Sequence, residues 1–330
     1  MKNSQAEDER YMRRCIQLAR CGECGAQPNP MVGAVIVHDG RIIGEGYHRK
    51  CGGPHAEVNA VRSVERPELL AESTLYVSLE PCAHYGKTLP CADLIVSCRI
   101  PRVVVGCQDL FAKVNGLGLK RMRDAGIQVE VGVLEEECKR LNERFFTYHS
   151  QKRPWVTLKW AQSADGFIAR KDGTAVAFST PMTKALVHRL RTRNQAIMVG
   201  THTALWDNPT LTVRDWQGNH PLRVTIDRHG TLPTTLHLKD GSVPTRIYET
   251  GNLEEILSDL YGSGIQSLLV EGGAALHRTF LETGLWDEAR VEISPQMLGE
   301  GIPAASLSGA VLESEEQFGA NKVCHYRPKS

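Results

Sequence analysis

The sequence predicts two α/β domains in tandem, residues 1–150 and 151–330, on three observations. The chain is 330 residues long, about twice an ordinary domain of roughly 150 residues. In both halves the apolar pattern switches repeatedly between helical spacing and short apolar runs. That alternation builds a mostly parallel sheet covered by helices on both faces. Between the halves, Ser150-Gln151-Lys152-Arg153-Pro154 is polar and ends in proline, the composition of a domain boundary.

Taken in order, Met12, Cys15, Ile16, Leu18 and Ala19 mark a helix over 8–21 with Asp8 as its cap. Strands over 32–37 and 41–46 flank His38-Asp39-Gly40 and form a hairpin. A helix follows over 56–64, then a strand over 75–79, a helix over 92–98 and a strand over 102–106. A helix over 117–125, a strand over 127–131 and a charged helix over 135–148 close the first half. The second half opens with a strand over 155–160, followed by a helix over 182–193 and strands over 196–199 and 222–226. A helix over 253–262 precedes a strand over 267–270, which runs through Glu271-Gly272-Gly273 into a helix over 274–281. The two halves do not resemble each other, so the chain is a fusion and not a duplication.

Composition narrows the function. Lysine and arginine number 39 against 38 aspartate and glutamate, a formal net charge of +1. A nucleic-acid binder needs a basic excess or stripe, and the densest group is only Arg189-Leu190-Arg191-Thr192-Arg193. A small-molecule substrate is expected, and no nucleic acid. No apolar run approaches the ~20 residues that span a bilayer, so no membrane is expected. The polar, acidic start MKNSQAEDER is neither a secretory signal nor a transit peptide, which favours the cytoplasm. Of ten cysteines, nine fall between Cys15 and Cys138. In such a chain, clustered cysteines point to metal binding or catalysis more than to disulfides, although most of them are expected to be packed thiols.

The chemistry concentrates in Pro54-His55-Ala56-Glu57, Glu80-Pro81-Cys82 and Cys91. One imidazole and two thiolates suit zinc, and three protein ligands leave the position a reactive water needs. Glu57 is then the carboxylate that moves protons. Residues two apart do not share a helix face, so His55 and Glu57 must sit at the end of an element, as Gly52-Gly53-Pro54 allows. Pro81 suits a first helical position, which would set Cys82 at a helix N-terminus where N–H groups stabilise a thiolate. The arrangement is that of zinc nucleobase deaminases, with eight residues between the two thiols instead of two. Cys21-Gly22-Glu23-Cys24 is a competing metal motif without a second pair at matching spacing. His84 is either a substrate contact or a loop residue. Cys51, Cys98, Cys107 and Cys138 are expected to be packing residues.

The longer spacing points to a family. Pro28-Asn29-Pro30-Met31-Val32-Gly33, Gly46-Tyr47-His48, Pro54-His55-Ala56-Glu57 and the E-P-C-x-H-x-G-x-T-x-P-C run from Glu80 to Cys91 closely resemble the bifunctional deaminase/reductase of riboflavin biosynthesis. The resemblance covers nearly the whole chain. It implies a cytidine-deaminase-like three-layer α/β/α domain followed by a dihydrofolate-reductase-like α/β domain. The first would deaminate the 2-amino group of 2,5-diamino-6-ribosylamino-4(3H)-pyrimidinone 5′-phosphate. The second would reduce the ribosyl chain to ribityl with NADPH. By the resemblance one Zn2+ per chain falls on His55, Cys82 and Cys91, the proton shuttle is Glu57, and Asn29 and His48 are substrate contacts.

The second half carries the same resemblance. Leu158-Lys159-Trp160-Ala161-Gln162-Ser163-Ala164-Asp165-Gly166 is similar to the opening reductase strand, with Ala161 and Ser163 at the cofactor. Gly200-Thr201-His202-Thr203 and the stretch from Asp207 to Arg214 resemble the cofactor and substrate segment, with Thr203 and Asp207 facing the cofactor and Leu211 and Arg214 the substrate. Glu271-Gly272-Gly273 resembles the glycine-rich dinucleotide loop, and backbone N–H groups at such a helix start can hold a phosphate. Arg191 and Arg214 are the expected phosphate grips, since a guanidinium binds phosphate in bidentate fashion. Lys159 and Asp165 are weaker nominees for the reduction step, and Arg228 for the 2′-phosphate of the cofactor.

Two stretches depart from the family. Gly173-Thr174-Ala175-Val176-Ala177-Phe178-Ser179 stands where a Gly-Glu-Ser-Gln-Trp-like run is usual, so a serine on the substrate and an aromatic near the cofactor do not carry over. Asp109-Leu110-Phe111-Ala112 replaces Asp-Pro-Asn-Pro. The resemblance also implies a homodimer. Two rivals remain. One is a zinc deaminase of another aminopyrimidine or of nucleic acid with a degenerate or accessory second domain. The other is a non-catalytic zinc module, in which a fourth ligand would close the site and Glu57 would be idle.

Overall fold

The computed structural model describes residues 4–23, 25–85, 89–110 and 115–329. It divides into two compact units, Met1–Gln151 and Lys152–Ser330. Cys24 of the competing metal motif, Gly86-Lys87-Thr88 of the long cysteine loop, and Phe111 and Ala112 lie outside the described residues.

The first unit begins with α1 (Gln5–Arg20), capped by Ser4 and not by Asp8. Ser4 and Glu7 form a reciprocal capping box, the Ser4 N–H donating to Glu7 Oε2 at 3.1 Å. Asp8 lies one turn inside, buried, where it accepts from the Tyr76 hydroxyl at 2.6 Å and from the Arg102 guanidinium at 2.7 Å. β1 (Gly33–His38) and β2 (Arg41–Tyr47) pair through an Asp39-Gly40 turn in which both residues have positive φ, 46° and 72°. Then come α2 (Ala56–Arg62), β3 (Thr74–Leu79), α3 (Cys91–Ser97), β4 (Arg102–Cys107), α4 (Leu117–Asp124) and β5 (Gln128–Val131). α5 (Glu135–Leu141) and α6 (Glu143–Gln151) replace the single helix expected over 135–148. The break is at Asn142, whose side chain accepts from the Met31 N–H at 2.8 Å and donates to the Met31 carbonyl at 2.9 Å.

The sheet runs β2-β1-β3-β4-β5. β3, β4 and β5 are parallel, while β1 is antiparallel to both its neighbours, so the sheet is mixed and not mostly parallel as expected. The period of two sorts the side chains onto two faces. Ala34, Ile36, Leu75, Val77, Val103 and Val105 pack under α2, α3 and α4. Val35, Val37, Tyr76 and Val104 pack under α1, Cys138 and Phe146. This gives three layers. A Cβ on Gly46 would lie 2.3 Å from the Ala60 nitrogen and 2.4 Å from the Ala56 carbonyl. Glycine there lets α2 lie directly on β2, which sets the position of the residues at its start.

The second unit has β6 (Trp155–Gln162), β7 (Phe167–Ala169), α7 (Pro181–Thr192), β8 (Ala196–Val199), α8 (Thr201–Asp207), β9 (Leu222–Ile226) and β10 (Thr245–Tyr248). α9 (Leu253–Gly262), β11 (Ser267–Gly272), α10 (Ala274–Thr283), β12 (Glu288–Ile293), β13 (Ile302–Pro303), β14 (Ala310–Phe318) and β15 (Asn321–Pro328) complete it. The large sheet runs β10-β9-β8-β11-β6-β12-β15-β14. Its first six strands are parallel, and β15 and β14 add antiparallel at the end.

One face of this sheet is apolar. Val156, Leu158, Trp160, Leu268, Val270, Ala289 and Val291 pack against Leu253, Ile256, Leu257 and Leu260 of α9 and Phe280 of α10. The alternate positions on β6, β11 and β12 carry Lys159, Glu271, Arg290 and Glu292. Register puts Arg290 directly beside Lys159. Charged residues on central strands need partners, and those of Glu271 and Glu292 are described below.

Candidate functional site

In the first unit, β1, β2 and β3 bring three separate segments to one place. His55 is the N-cap of α2, with extended backbone (φ −71°, ψ 167°), and Glu57 sits in the first turn of that helix. That transition lets residues two apart converge. Cys82 follows β3 in a loop, and Cys91 opens α3. Cys82 is therefore not at a helix N-terminus. The same Pro-Cys start signal recurs at Pro90-Cys91, and the helix begins there. The Cys91 backbone N–H still donates to Cys82 Sγ, at 3.4 Å. Glu80 fixes the stem of the loop: its carboxylate accepts from the N–H groups of Gly116 at 2.9 Å and Gly118 at 3.0 Å.

His55 Nδ1 lies 3.5 Å from Cys82 Sγ and 3.3 Å from Cys91 Sγ, and the three ligand atoms all lie within 4.8 Å of one another. Tetrahedral zinc, with Zn–N of about 2.0 Å and Zn–S of about 2.3 Å, separates such atoms by about 3.5 Å, so the donor set fits the metal. The hydrogen bond from the Cys91 thiol, together with His55, holds Cys82 well below the usual thiol range, as a thiolate. His55 is raised to about 9, first by its hydrogen bond to Cys82.

Glu57 is 3% exposed in the first turn of α2. Burial pushes its carboxyl up to about 7. His48 is buried beside the group, its ring edge-on to that of His55 at 5.4 Å. Its Nδ1 lies 3.1 Å from the Pro54 carbonyl, which can only accept, and its Nε2 lies 3.2 Å from the Asn29 amide nitrogen, which can only donate. The proton is thus on Nδ1. Asn29 and His48 form one hydrogen-bonded wall beside the three ligands. His84 is exposed; Cys107 and Cys138 are buried packing residues as expected, Cys98 is half-buried, and Cys51 is exposed and does not pack as expected.

In the second unit, Gly272 ends β11 and Gly273, with φ of 77°, begins α10 without a side-chain cap. A Cβ at Gly272 would meet Thr203 Cγ2 at 2.9 Å, and one at Gly273 would meet Thr203 Oγ1 at 3.1 Å. The two glycines therefore leave a cradle beside α8 that any side chain would fill, and the first N–H groups of α10 open onto it. That cradle fits a dinucleotide phosphate. Asp207, the last residue of α8, is exposed. Ala161 is half-buried on β6, register partner of Glu292.

Several expected contacts are otherwise occupied. Ser163 is fully buried, and its hydroxyl accepts from the Phe167 N–H at 2.9 Å, so it pins the turn into β7 and does not face a cofactor. Asp165 accepts from the Gly299 N–H at 2.7 Å, again a turn contact. The Leu211 side chain is 2% exposed, packed with Ile197, Val199 and Leu232. Only its backbone is left for a substrate. Glu271 points not to a cofactor but to Arg191, whose Nε and Nη2 donate to its two oxygens at 2.8 and 2.9 Å. Arg191 Nη1 also donates to the Thr212 carbonyl at 2.7 Å. Three of the five guanidinium N–H groups are thus committed, and two remain. Arg214 is exposed on the loop after α8 and donates to Thr210 and Thr212 hydroxyls.

Arg290 and Glu292 escaped the sequence reading. Alternating charge in Glu288-Ala289-Arg290-Val291-Glu292 suggests a half-solvated strand, yet β12 lies inside the sheet. Glu292 is fully buried, accepting from Ser179 Oγ at 2.7 Å and Asn321 Nδ2 at 2.6 Å. Five consecutive residues with charge at every second position were the available signal.

The model of the RibD C-terminal domain matches residues 154–323, and that of the cytidine and deoxycytidylate deaminase zinc-binding region matches residues 5–107. The riboflavin biosynthesis protein RibD of Aquifex aeolicus is 38% identical over 96% of this chain and 95% of its own length. That of Escherichia coli is 35% identical over 98% of this chain and 97% of its own. Among solved structures, a diaminohydroxyphosphoribosylaminopyrimidine deaminase/5-amino-6-(5-phosphoribosylamino)uracil reductase from Thermotoga maritima is 37% identical, with a TM-score of 0.90 over 98% of this chain and 99% of that one. Acinetobacter baumannii RibD is 33% identical with a TM-score of 0.90, over 99% of this chain and 100% of that one.

Proposed function

Because the chain belongs to the RibD family, the deaminase–reductases of riboflavin biosynthesis, we propose that residues 1–150 deaminate and residues 151–330 reduce, with His55, Cys82 and Cys91 as zinc ligands and Glu57 as proton shuttle. The enzyme is bifunctional, a zinc-dependent hydrolytic deaminase and an NADPH-dependent reductase acting on one pyrimidine ribotide. The observation that carries the assignment of residues is the convergence of three ligand atoms at zinc spacing against one buried carboxylate.

Bound zinc supplies a Lewis acid that makes water nucleophilic near neutral pH. The chain's own residues do the rest. Glu57, raised by burial to about 7, would carry one proton from that water to the ring nitrogen and a second, from the hydroxyl so formed, to the amino group that leaves as ammonia. His48, with both ring nitrogens engaged, orients Asn29, whose amide oxygen and second N–H are left for the pyrimidine. In the second unit, Gly272 and Gly273 take a cofactor phosphate at the start of α10, with Thr203 and Asp207 alongside and Ala161 contributing backbone from β6. Arg214 takes the substrate phosphate, with the two free N–H groups of Arg191 in support, and Leu211 offers its backbone. Positioning of cofactor and ribose supplies most of the reductase rate.

A small phosphorylated pyrimidine agrees with the near-neutral charge of the chain, and no helix among the described residues is long and apolar enough to cross a membrane. We further infer a cytoplasmic homodimer joined through the second unit, as the family resemblance implies.

Cys91→Ala separates the two activities. Zinc content is expected to fall from one per chain to nearly none, and ammonia release from the diaminopyrimidinone ribotide to stop. NADPH oxidation with the already deaminated ribotide is expected to continue. Ammonia release at the wild-type rate without zinc would overturn the ligand assignment.

A further inference from the structure

The loop that carries Arg214 is pinned at three consecutive residues. Arg191 Nη1 donates to the Thr212 carbonyl at 2.7 Å, the Val213 N–H donates to His220 Nδ1 at 3.1 Å, and the Arg214 N–H donates to His188 Nδ1 at 3.1 Å. His188 and Arg191 stand three residues apart on α7, so one helix face holds both Thr212 and Arg214. His188 is 5% exposed. A backbone N–H can only donate, so His188 Nδ1 must be unprotonated and Nε2 carries the proton. Nε2 lies 3.4 Å from Asp215 Oδ2, on the residue after Arg214. The neutral ring thus bridges the two residues, while the Arg214 guanidinium remains exposed.

We propose that His188 is a positioning residue for substrate phosphate: as a neutral acceptor it fixes the Arg214 backbone so that the guanidinium meets the phosphate of the deaminated ribotide. The proposal rests on the reading of Arg214 as the phosphate grip. Protonating His188 would replace its acceptor with a donor facing an N–H, which breaks the bond and loosens the loop. The charged groups facing the ring are Arg191 of its own helix, Glu271 of β11, and Arg214 and Asp215 of the loop. Burial, reinforced by Arg191 and Arg214, keeps the ring neutral at physiological pH against the pull of Asp215 and Glu271. The bond is therefore present at neutral and alkaline pH and lost in acid.

The test measures KM and kcat for reduction of the deaminated ribotide, and of the same compound without its phosphate, from pH 5 to 8. His188→Leu removes the acceptor and is expected to raise KM for the phosphorylated compound about tenfold at pH 8, the effect of a part-buried N–H left unpaired. KM for NADPH, KM for the dephosphorylated compound and ammonia release should not move. In His188→Asn the amide oxygen stands where Nδ1 stood and does not titrate, so KM at pH 8 is expected to be restored. Its KM should also rise less in acid than that of the wild type. The second ionisation of the phosphate, near pH 6, acts on both proteins alike, so their difference reports the imidazole. Arg214→Gln separates the two ideas. If it leaves KM for the phosphorylated compound unchanged, the phosphate reading falls and this proposal with it. If Arg214→Gln raises KM while folded His188→Leu does not, or if His188→Asn keeps the wild-type acid rise, the proposal alone is overturned.

Discussion

Glu57→Gln is expected to leave one zinc per chain in place and to lower ammonia release by about 10²–10⁴-fold, the usual worth of a general acid–base group. Glutamine keeps the shape and the hydrogen-bonding oxygen but cannot carry a proton. The site needs a carboxylate that changes protonation near neutral pH, and burial brings Glu57 to about 7 where an exposed glutamate would sit near 4.5. The three ligands are untouched, so zinc content should not change. Reduction of the deaminated ribotide should proceed at the wild-type rate. A Glu57→Gln enzyme that retained zinc and released ammonia normally would assign proton transfer to another group and favour a structural metal.

Arg191→Leu is expected to cost about 3–5 kcal/mol of stability in the second unit, because it leaves the Glu271 carboxylate buried without its partner. Both side chains are nearly buried, 11% and 8% exposed. The pH dependence has a definite sign. Burial pushes Glu271 up, but the Arg191 guanidinium outweighs it and holds the carboxyl at about 2. In the wild type that stability is present above about 4.3, the unfolded value, and lost as pH falls toward 2. Without Arg191 burial dominates, with Lys159 the largest remaining charge that opposes it. Its folded value then rises above the unfolded one, so the variant loses stability as pH rises. Thermal unfolding from pH 5 to 8 should show the gap from wild type widening with pH. A gap that stays constant or narrows would mean that Glu271 is not held by Arg191.

Much of this architecture is legible in local sequence. The β1–β2 hairpin follows from Asp39-Gly40 between two strand-like runs, and the break ahead of α2 follows from Gly52-Gly53-Pro54. The ligand triad follows from residue type and spacing. What sequence could not give is non-local. Nothing between Glu135 and Gln151 is a helix breaker, and α5 ends because Asn142 reaches Met31, 111 residues away in sequence. Asp8 looks like a cap because its partners Tyr76 and Arg102 arrive from distant strands. β14 went unread because Leu312–Gln317 is exposed almost throughout, an edge strand without an apolar alternation. Pro81-Cys82 and Pro90-Cys91 offer the same start signal, and only packing of α3 on β3 and β4 selects the second. Glu271 reads as a cofactor residue beside two glycines, yet the register slip in β11 between Val270 and Gly272 accompanies its pairing with Arg191.

One chain performs two reactions in sequence on one ribotide. The direct measurement supplies the diaminopyrimidinone ribotide and NADPH together and counts ammonia released against NADPH oxidised. One of each per substrate consumed is expected, with NADPH oxidation lagging ammonia and absent when Glu57→Gln replaces the wild type. NADPH oxidation that proceeds without ammonia, or ammonia release with no NADPH consumed, would contradict it.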